Sequence, residues 1–286
     1  MDALVSILQK AALTLSGLRK RMSNKARPPF DAINTSVSPL IASTTNGIGS
    51  FAPHFMEPIL TGEERHLVDS FSDLYYSKLD SGRGLHTIVL SWMGYEMFKC
   101  PMDLWIYQEI IVQKRPDLII EVGTYKGGST LYLAHMLDFV GKGDVVSIDI
   151  NPGREFARPQ HPRIRYVTGS STDPAIYNEM AALAQTKDKI LVILDGDHRC
   201  DHVLEELRLY HKFIKPDDYL IVEDTNINGH PTYRDFGPGP WEAVDLFLSE
   251  NNDFYPDRSC ERFLLTMNPR GYLRRRQNRQ GKTLRN

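Results

Sequence analysis

Cysteine is scarce in this chain of 286 residues: Cys100, Cys200 and Cys260 are odd in number and far apart. That excludes a disulfide framework and a CxxC zinc site, and it fits reduced thiols in a cytoplasmic protein. No apolar run is long enough to span a bilayer. Neither charge is in excess, with a formal net charge of −2, so no general attraction to nucleic acid or an anionic membrane is expected. A secretory leader is not expected either, because the basic cluster Arg19-Lys20-Arg21 follows the N-terminal apolar stretch instead of preceding it. What remains is 41% hydrophobic and 24% charged residues. That is soluble globular composition, in a chain long enough for one large α/β domain with an appendage.

Residues 3–22 place Leu4, Ile7, Leu8, Ala11, Ala12 and Leu15 at helical spacing. The plain reading is an amphipathic helix docked on the body or on a partner subunit of a homo-oligomer; the sharper one is a membrane-surface anchor. Residues 23–57 are rich in Ser, Thr, Asn, Pro and Gly and read as a linker. Residues 1–57 thus form a helical and irregular N-terminal extension. Over 58–272 the pattern is dense: helices at 62–78 and 102–112, then a strand at 118–122, a helix at 129–137 and strands at 144–150, 164–168 and 189–194. A helix at 201–213, a strand at 218–223 and a helix at about 241–249 complete it. Apolar strands alternating with helices predict a mostly parallel sheet with helices on both faces. In such sheets ligands bind at the carboxyl ends of the strands, near the topological switch point. Residues 273–286, with Arg274, Arg275, Arg276, Arg279 and Lys282, read as a solvated basic tail.

The first strand of this pattern ends in Glu121-Val122-Gly123-Thr124-Tyr125-Lys126-Gly127-Gly128-Ser129. Glycine lets the backbone turn sharply and approach a ligand before a helix begins. A nicotinamide-dinucleotide fingerprint requires glycine at position 125, where Tyr125 stands. The acidic residue followed by G-x-x-x-G instead resembles the first motif of class I methyltransferases. That resemblance implies that Glu121 faces the amino-acid end of S-adenosylmethionine, with Gly123, Thr124, Tyr125, Gly127 and Ser129 forming the cofactor turn. Asp149, at the end of the second strand, can accept both ribose hydroxyls; its plain reading is a cap or loop carboxylate. Ser170 and Ser171 follow the third strand and are candidates to border the adenine, although Ser-Thr-Asp-Pro is equally a helix start.

The fourth strand ends in Asp195-Gly196-Asp197-His198 and the fifth in Glu223-Asp224-Thr225-Asn226. Buried strands have little reason to finish in adjacent carboxylates, because unpaired charge is costly in a low-dielectric setting. Neighbouring strand ends bring Asp195, Glu223 and Asp224 together, and a cation relieves their repulsion most directly. All-oxygen ligation favours a hard ion, Mg²⁺ first, with Mn²⁺ or Ca²⁺ as alternatives. Asp197 is either a further ligand or a turn residue. A zinc reading through His198, Cys200 and His202 lacks a fourth ligand.

The stretch from about Trp92 to Tyr272 resembles the cephalosporin hydroxylase / rhamnosyl O-methyltransferase family. The likeness rests on the run from Lys99 through Glu109 (KCPMDLWIYQE), the Glu121 glycine turn, Val146-Ser147-Ile148-Asp149 and Gly169-Ser170-Ser171-Thr172-Asp173. It continues through Leu194-Asp195-Gly196-Asp197-His198, Val222-Glu223-Asp224-Thr225 and Phe236-Gly237-Pro238-Gly239-Pro240. It implies a Rossmann-like class I methyltransferase fold, S-adenosylmethionine with a divalent metal, and a sugar or glycosylated metabolite as hydroxyl acceptor. Asp195 then stands in both the cofactor and the metal set. The spacing of Asp195 to Glu223 and Asp224 is also similar to that of metal-dependent catechol and macrolide-sugar O-methyltransferases. In the sugar enzymes a His three residues after the first metal carboxylate is the general base, a position held here by His198. A direct oxygenase reading lacks an H-x-D motif for non-haem iron. A metal-assisted hydrolase and a catalytically silent cofactor-binding subunit are the competing classes.

Beyond the fifth strand, the Gly/Pro-rich loop 227–241 carries Tyr233, Phe236 and Trp241, candidates either to stack on a substrate ring or to pin the loop. Segment 99–109 is expected to close the cofactor side, with Tyr107 and Gln108 as contact candidates.

Overall fold

The computed structural model describes residues 58–79, 88–153 and 157–277. The expectations for residues 1–57, and those for Arg279 and Lys282, lie outside the described residues. Helix α1 spans Gly62–Leu79. A reciprocal cap opens it: the Thr61 backbone N–H donates to Glu64 Oε2 at 2.8 Å, and Thr61 Oγ1 accepts from the Glu64 N–H at 3.3 Å. A hairpin absent from the sequence reading follows, β1 (Leu90–Trp92) with β2 (Tyr95–Met97).

The body then alternates as α2 (Pro101–Lys114), β3 (Leu118–Val122), α3 (Gly128–Val140), β4 (Asp144–Asp149), β5 (Ile164–Thr168) and α4 (Pro174–Gln185). It continues with β6 (Ile190–Leu194), α5 (Cys200–Tyr210), β7 (Tyr219–Val222), α6 (Pro240–Glu250), β8 (Phe254–Pro256) and β9 (Tyr272–Arg275). Helix α4 was not anticipated from the sequence pattern beyond its start signal. That signal acts: Asp173 caps it by accepting from the Ala175 N–H at 2.8 Å, with Pro174 in the first turn.

The seven-stranded sheet has the order β5-β4-β3-β6-β7-β9-β8. Strands β5, β4, β3, β6 and β7 run parallel, and β9 lies antiparallel between β7 and β8. The order reverses between β3 and β6, which sets the switch point there. Strands β8 and β9 correct the expected tail. Arg274 pairs with Asp217 and Asp257, and Arg275 with Asp253, so these two arginines belong to a strand of the sheet.

Alternation along the buried strands divides the core. Leu118, Ile120, Val122, Ile190, Val192 and Leu194 face one layer, which includes Leu207 of α5 and Phe247 of α6. Ile119, Leu191, Ile193 and Ile221 face the other, built on α2 and α3. A period of two then fixes where the polar residues at the strand ends point. Among the described residues, no helix is long and apolar enough to cross a membrane.

Candidate active site at the carboxyl end of the sheet

A cavity of about 750 Å³ opens over the switch point, of a size that suits a nucleoside cofactor together with a small acceptor. Of the expected cofactor residues, Gly123, Tyr125, Asp149, Ser170, Ser171 and Asp195 line it. Gly123 permits the close approach of the two central strand ends. Its φ is +92°, and a Cβ there would lie 1.9 Å from the Asp195 carbonyl oxygen. Gly123→Ala is therefore expected to cost at least about 3 kcal/mol, combining a left-handed backbone with a clash against main chain. Urea unfolding checks this, and a loss below 1 kcal/mol would show that the turn can relax.

Glu121, Thr124, Gly127 and Ser129 do not line the cavity. Glu121 shares the α3 side of the sheet with Ile119, and there its carboxylate accepts from Ser129 Oγ at 2.6 Å, from Ser147 Oγ at 2.7 Å and from Thr130 Oγ1. It is fully buried. Burial raises its carboxyl above the usual range, with Lys99 and the hydroxyls acting the other way. Glu121 thus ties strand β3 to helix α3 beneath the turn. Asp149 fastens the same turn from the next strand: its Oδ2 accepts the backbone N–H of Thr124 at 3.0 Å and of Tyr125 at 2.9 Å. Ser171 donates to the buried Glu206, whose other oxygen has no partner.

The acidic strand ends divide: Asp195 and Asp224 line the cavity, whereas Glu223 lies behind it beside a residue absent from the sequence-based set. Asp195 and Glu223 follow the alternation onto the α2 side, and there the ammonium of Lys99 joins them. Lys99 donates to Asp195 Oδ2, and to Glu223 Oε1 at 2.6 Å. It is 3% exposed. Burial alone lowers an amine, but Asp195, Glu223 and Glu121 more than offset it, so Lys99 keeps its proton. The Tyr107 hydroxyl accepts from Asn268 Nδ2 at 3.1 Å, and burial, with the nearby Glu223 charge, raises the phenol. Tyr107 is buried and lies away from the cavity lining, from which Gln108 is also absent.

Asp224 breaks the alternation. Its φ of +53° is left-handed, which turns its side chain to the cavity, and its Oδ2 lies 3.3 Å from His198 Nε2. One ligand atom each from Asp195, His198 and Asp224 fall within 4.8 Å of one another. Burial raises Glu223 well above the carboxylate range, and the Asp195 charge adds to it; Lys99 offsets this only in part. Asp224 is pushed up to about 6 by burial, opposed by His198. Both carboxyls are thus raised for want of positive charge beyond Lys99, a deficit that one divalent cation would fill.

The other candidates resolve differently. Asp197 is a turn residue, bonded to the Arg199 N–H at 3.0 Å and to its guanidinium at 2.9 Å. His202 packs on Glu206 at 3.2 Å and does not join His198 and Cys200 in a metal set. Tyr233 and Phe236 line the cavity, whereas Trp241 stacks on His230 with ring centroids 4.2 Å apart and so pins the loop. His135, Asp138 and His161 also gather closely. There Trp92 Nε1 donates to His135 Nδ1 at 2.9 Å and the Arg163 N–H to His161 Nδ1 at 3.2 Å. Both imidazoles thus keep their proton on Nε2, and Arg163 already neutralises Asp138 at 2.6 Å. That is the opposite of what metal ligation needs.

The family model described as rhamnosyl O-methyltransferase/CmcI matches residues 86–276. A rhamnosyl O-methyltransferase of Mycobacterium tuberculosis is 40% identical over 188 residues, which is 64% of this chain and 77% of the relative. That of Mycobacterium leprae is 37% identical over 190 residues, 65% of this chain and 83% of the relative. Two solved structures of CmcI align with TM-scores of 0.50. The ligand-free one is 22% identical over 66% of this chain and 76% of its own. The one with Mg and SAM is 19% identical over 77% and 90%. At that identity they establish the class I methyltransferase fold alone.

Proposed function

The chain belongs to the rhamnosyl O-methyltransferase/CmcI family and is an S-adenosylmethionine-dependent O-methyltransferase, and from that premise we propose that it methylates a hydroxyl of a sugar or glycosylated metabolite with a divalent cation, Mg²⁺ first. The observation that carries this reading is a shared wall: Asp195 lines the cofactor-sized cavity and also belongs to the acidic cluster. Asp195, Glu223 and Asp224 would hold the cation, with His198 at its edge. When bound, S-adenosylmethionine supplies an activated methyl group, and the cation supplies a Lewis acid for the alcohol.

The chain's own task is then to orient the acceptor and remove its proton. One imidazole nitrogen of His198, Nε2, faces Asp224 at 3.3 Å, and an imidazole is the nearby group whose ordinary titration range suits taking the proton. Asp149 and the Gly123 turn hold the nucleoside side. Tyr233 and Phe236 offer ring faces at the cavity for the apolar face of a sugar. The names of the mycobacterial relatives point to a rhamnosyl acceptor.

Transfer of labelled methyl from S-adenosylmethionine to rhamnosylated acceptors is the test. Mg²⁺-dependent labelling of the sugar is expected, with a fall of at least about 10²-fold in excess EDTA. Undiminished transfer in EDTA would remove the metal. Absence of S-adenosylhomocysteine binding by calorimetry would remove the reading altogether.

A further inference from the structure

Lys99 stands at the centre of this cluster and reaches it from a part of the chain distant in sequence, the segment joining β2 to α2. Its ammonium bridges one oxygen of Asp195 and one of Glu223. The carboxylate beneath it, Asp103, is fully occupied elsewhere: it accepts from Thr266 Oγ1, from Tyr272 Oη at 2.7 Å and from the Met267 N–H at 2.8 Å. Lys99 is therefore a resident cation, sealed from water and committed to two of the three carboxylates that the proposed metal needs.

We infer that Lys99 is a positioning residue that preforms the cation site and sets its affinity. It holds Asp195 and Glu223 together when the metal is absent, and it weakens divalent binding by its own charge. The inference rests on the metal reading above. A buried positive charge beside a site repels an arriving cation, while the carboxylates it holds need no rearrangement when the cation arrives. The two effects have opposite signs on removal, and in a low-dielectric site the charge is the larger.

The full-length protein, freed of metal, is titrated with Mn²⁺ and read by electron paramagnetic resonance. Lys99→Met is expected to bind Mn²⁺ at least about tenfold more tightly than the wild type, and Lys99→Arg within about threefold of it. Without metal, Lys99→Met is expected to melt at a lower temperature, and Mn²⁺ is expected to raise its Tm by more than it raises that of the wild type. A merely structural lysine would lower stability without tightening metal binding. Unchanged or weaker Mn²⁺ affinity in Lys99→Met overturns the inference while leaving the metal reading intact. If the wild type itself binds no Mn²⁺, the metal reading and this inference both fall.

Should Lys99→Met not fold, the wild type supplies the second measurement. The buried ammonium resonance of Lys99, assigned by its loss in Lys99→Arg, is expected to shift on Mg²⁺ saturation. A resonance that stays fixed while Mg²⁺ binds also overturns the inference.

Discussion

Asp195→Ala is expected to lower methyl transfer by about 10³-fold or more, the size of losing several kcal/mol of charge stabilisation. Asp195 is the residue common to both halves of the site. Its backbone carbonyl packs against Gly123, its side chain meets Lys99, and one of its oxygens shares the 4.8 Å circle with His198 and Asp224. Removal takes away a proposed metal ligand and one of the two anchors of Lys99. Glu223 remains bonded to Lys99 at 2.6 Å, so the ammonium is not left unpaired and the fold is expected to survive. Labelled-methyl transfer gives the rate; circular dichroism and S-adenosylhomocysteine calorimetry separate a lost site from a lost fold. A folded variant that turns over at near wild-type rate, in Mg²⁺ or in EDTA, would mean that Asp195 is not part of the chemistry.

His198→Ala is expected to cost about 10²–10⁴-fold in turnover, the usual worth of a positioned general base. The pH profile distinguishes a base from a packing residue. Without His198, the rate should keep climbing with pH above neutrality, because the alcohol must ionise unaided; the wild type should level off. The acid limb belongs to the cluster. Asp224 is raised to about 6 by burial, so below that pH it takes up a proton and divalent affinity falls. In the metal-free protein the same shift acts on stability. Its contribution is fully present below pH 3.8 and is lost as pH rises through about 6. Bound cation reverses that loss, so metal stabilisation should grow across the same interval. Near-native turnover of His198→Ala at every pH would assign the base elsewhere.

Much of this architecture is legible in the residues. Apolar strands such as Leu118–Val122 and Ile190–Leu194 are short, buried and punctuated by turn residues, so a parallel sheet and the clustering of polar residues at its carboxyl end follow from patterning alone. The Glu121 glycine turn, Asp149 and the pairing of Asp195 with Glu223 and Asp224 were visible for the same reason. Strand β9 was hidden because Arg274 and Arg275 read as tail charge; only contact with Asp217 and Asp253 makes them strand residues.

The direction each side chain takes was decided by the tertiary structure. Glu121 reads as a cofactor ligand in the motif, but the alternation of β3 points it into helix α3, where three hydroxyls receive it. Trp241 reads equally as a substrate platform or a loop pin, and its stacking on His230 selects the second. Asp195, Glu223 and Asp224 were set side by side by sequence. Their partners were not: Lys99 comes from the segment before α2, 96 residues before Asp195, and Asp224 reaches His198 through one left-handed backbone angle. Local propensity and periodicity fix which residues arrive at a strand end. Which charge meets which depends on contacts distant in sequence, and those exist only once the two layers have closed on the sheet.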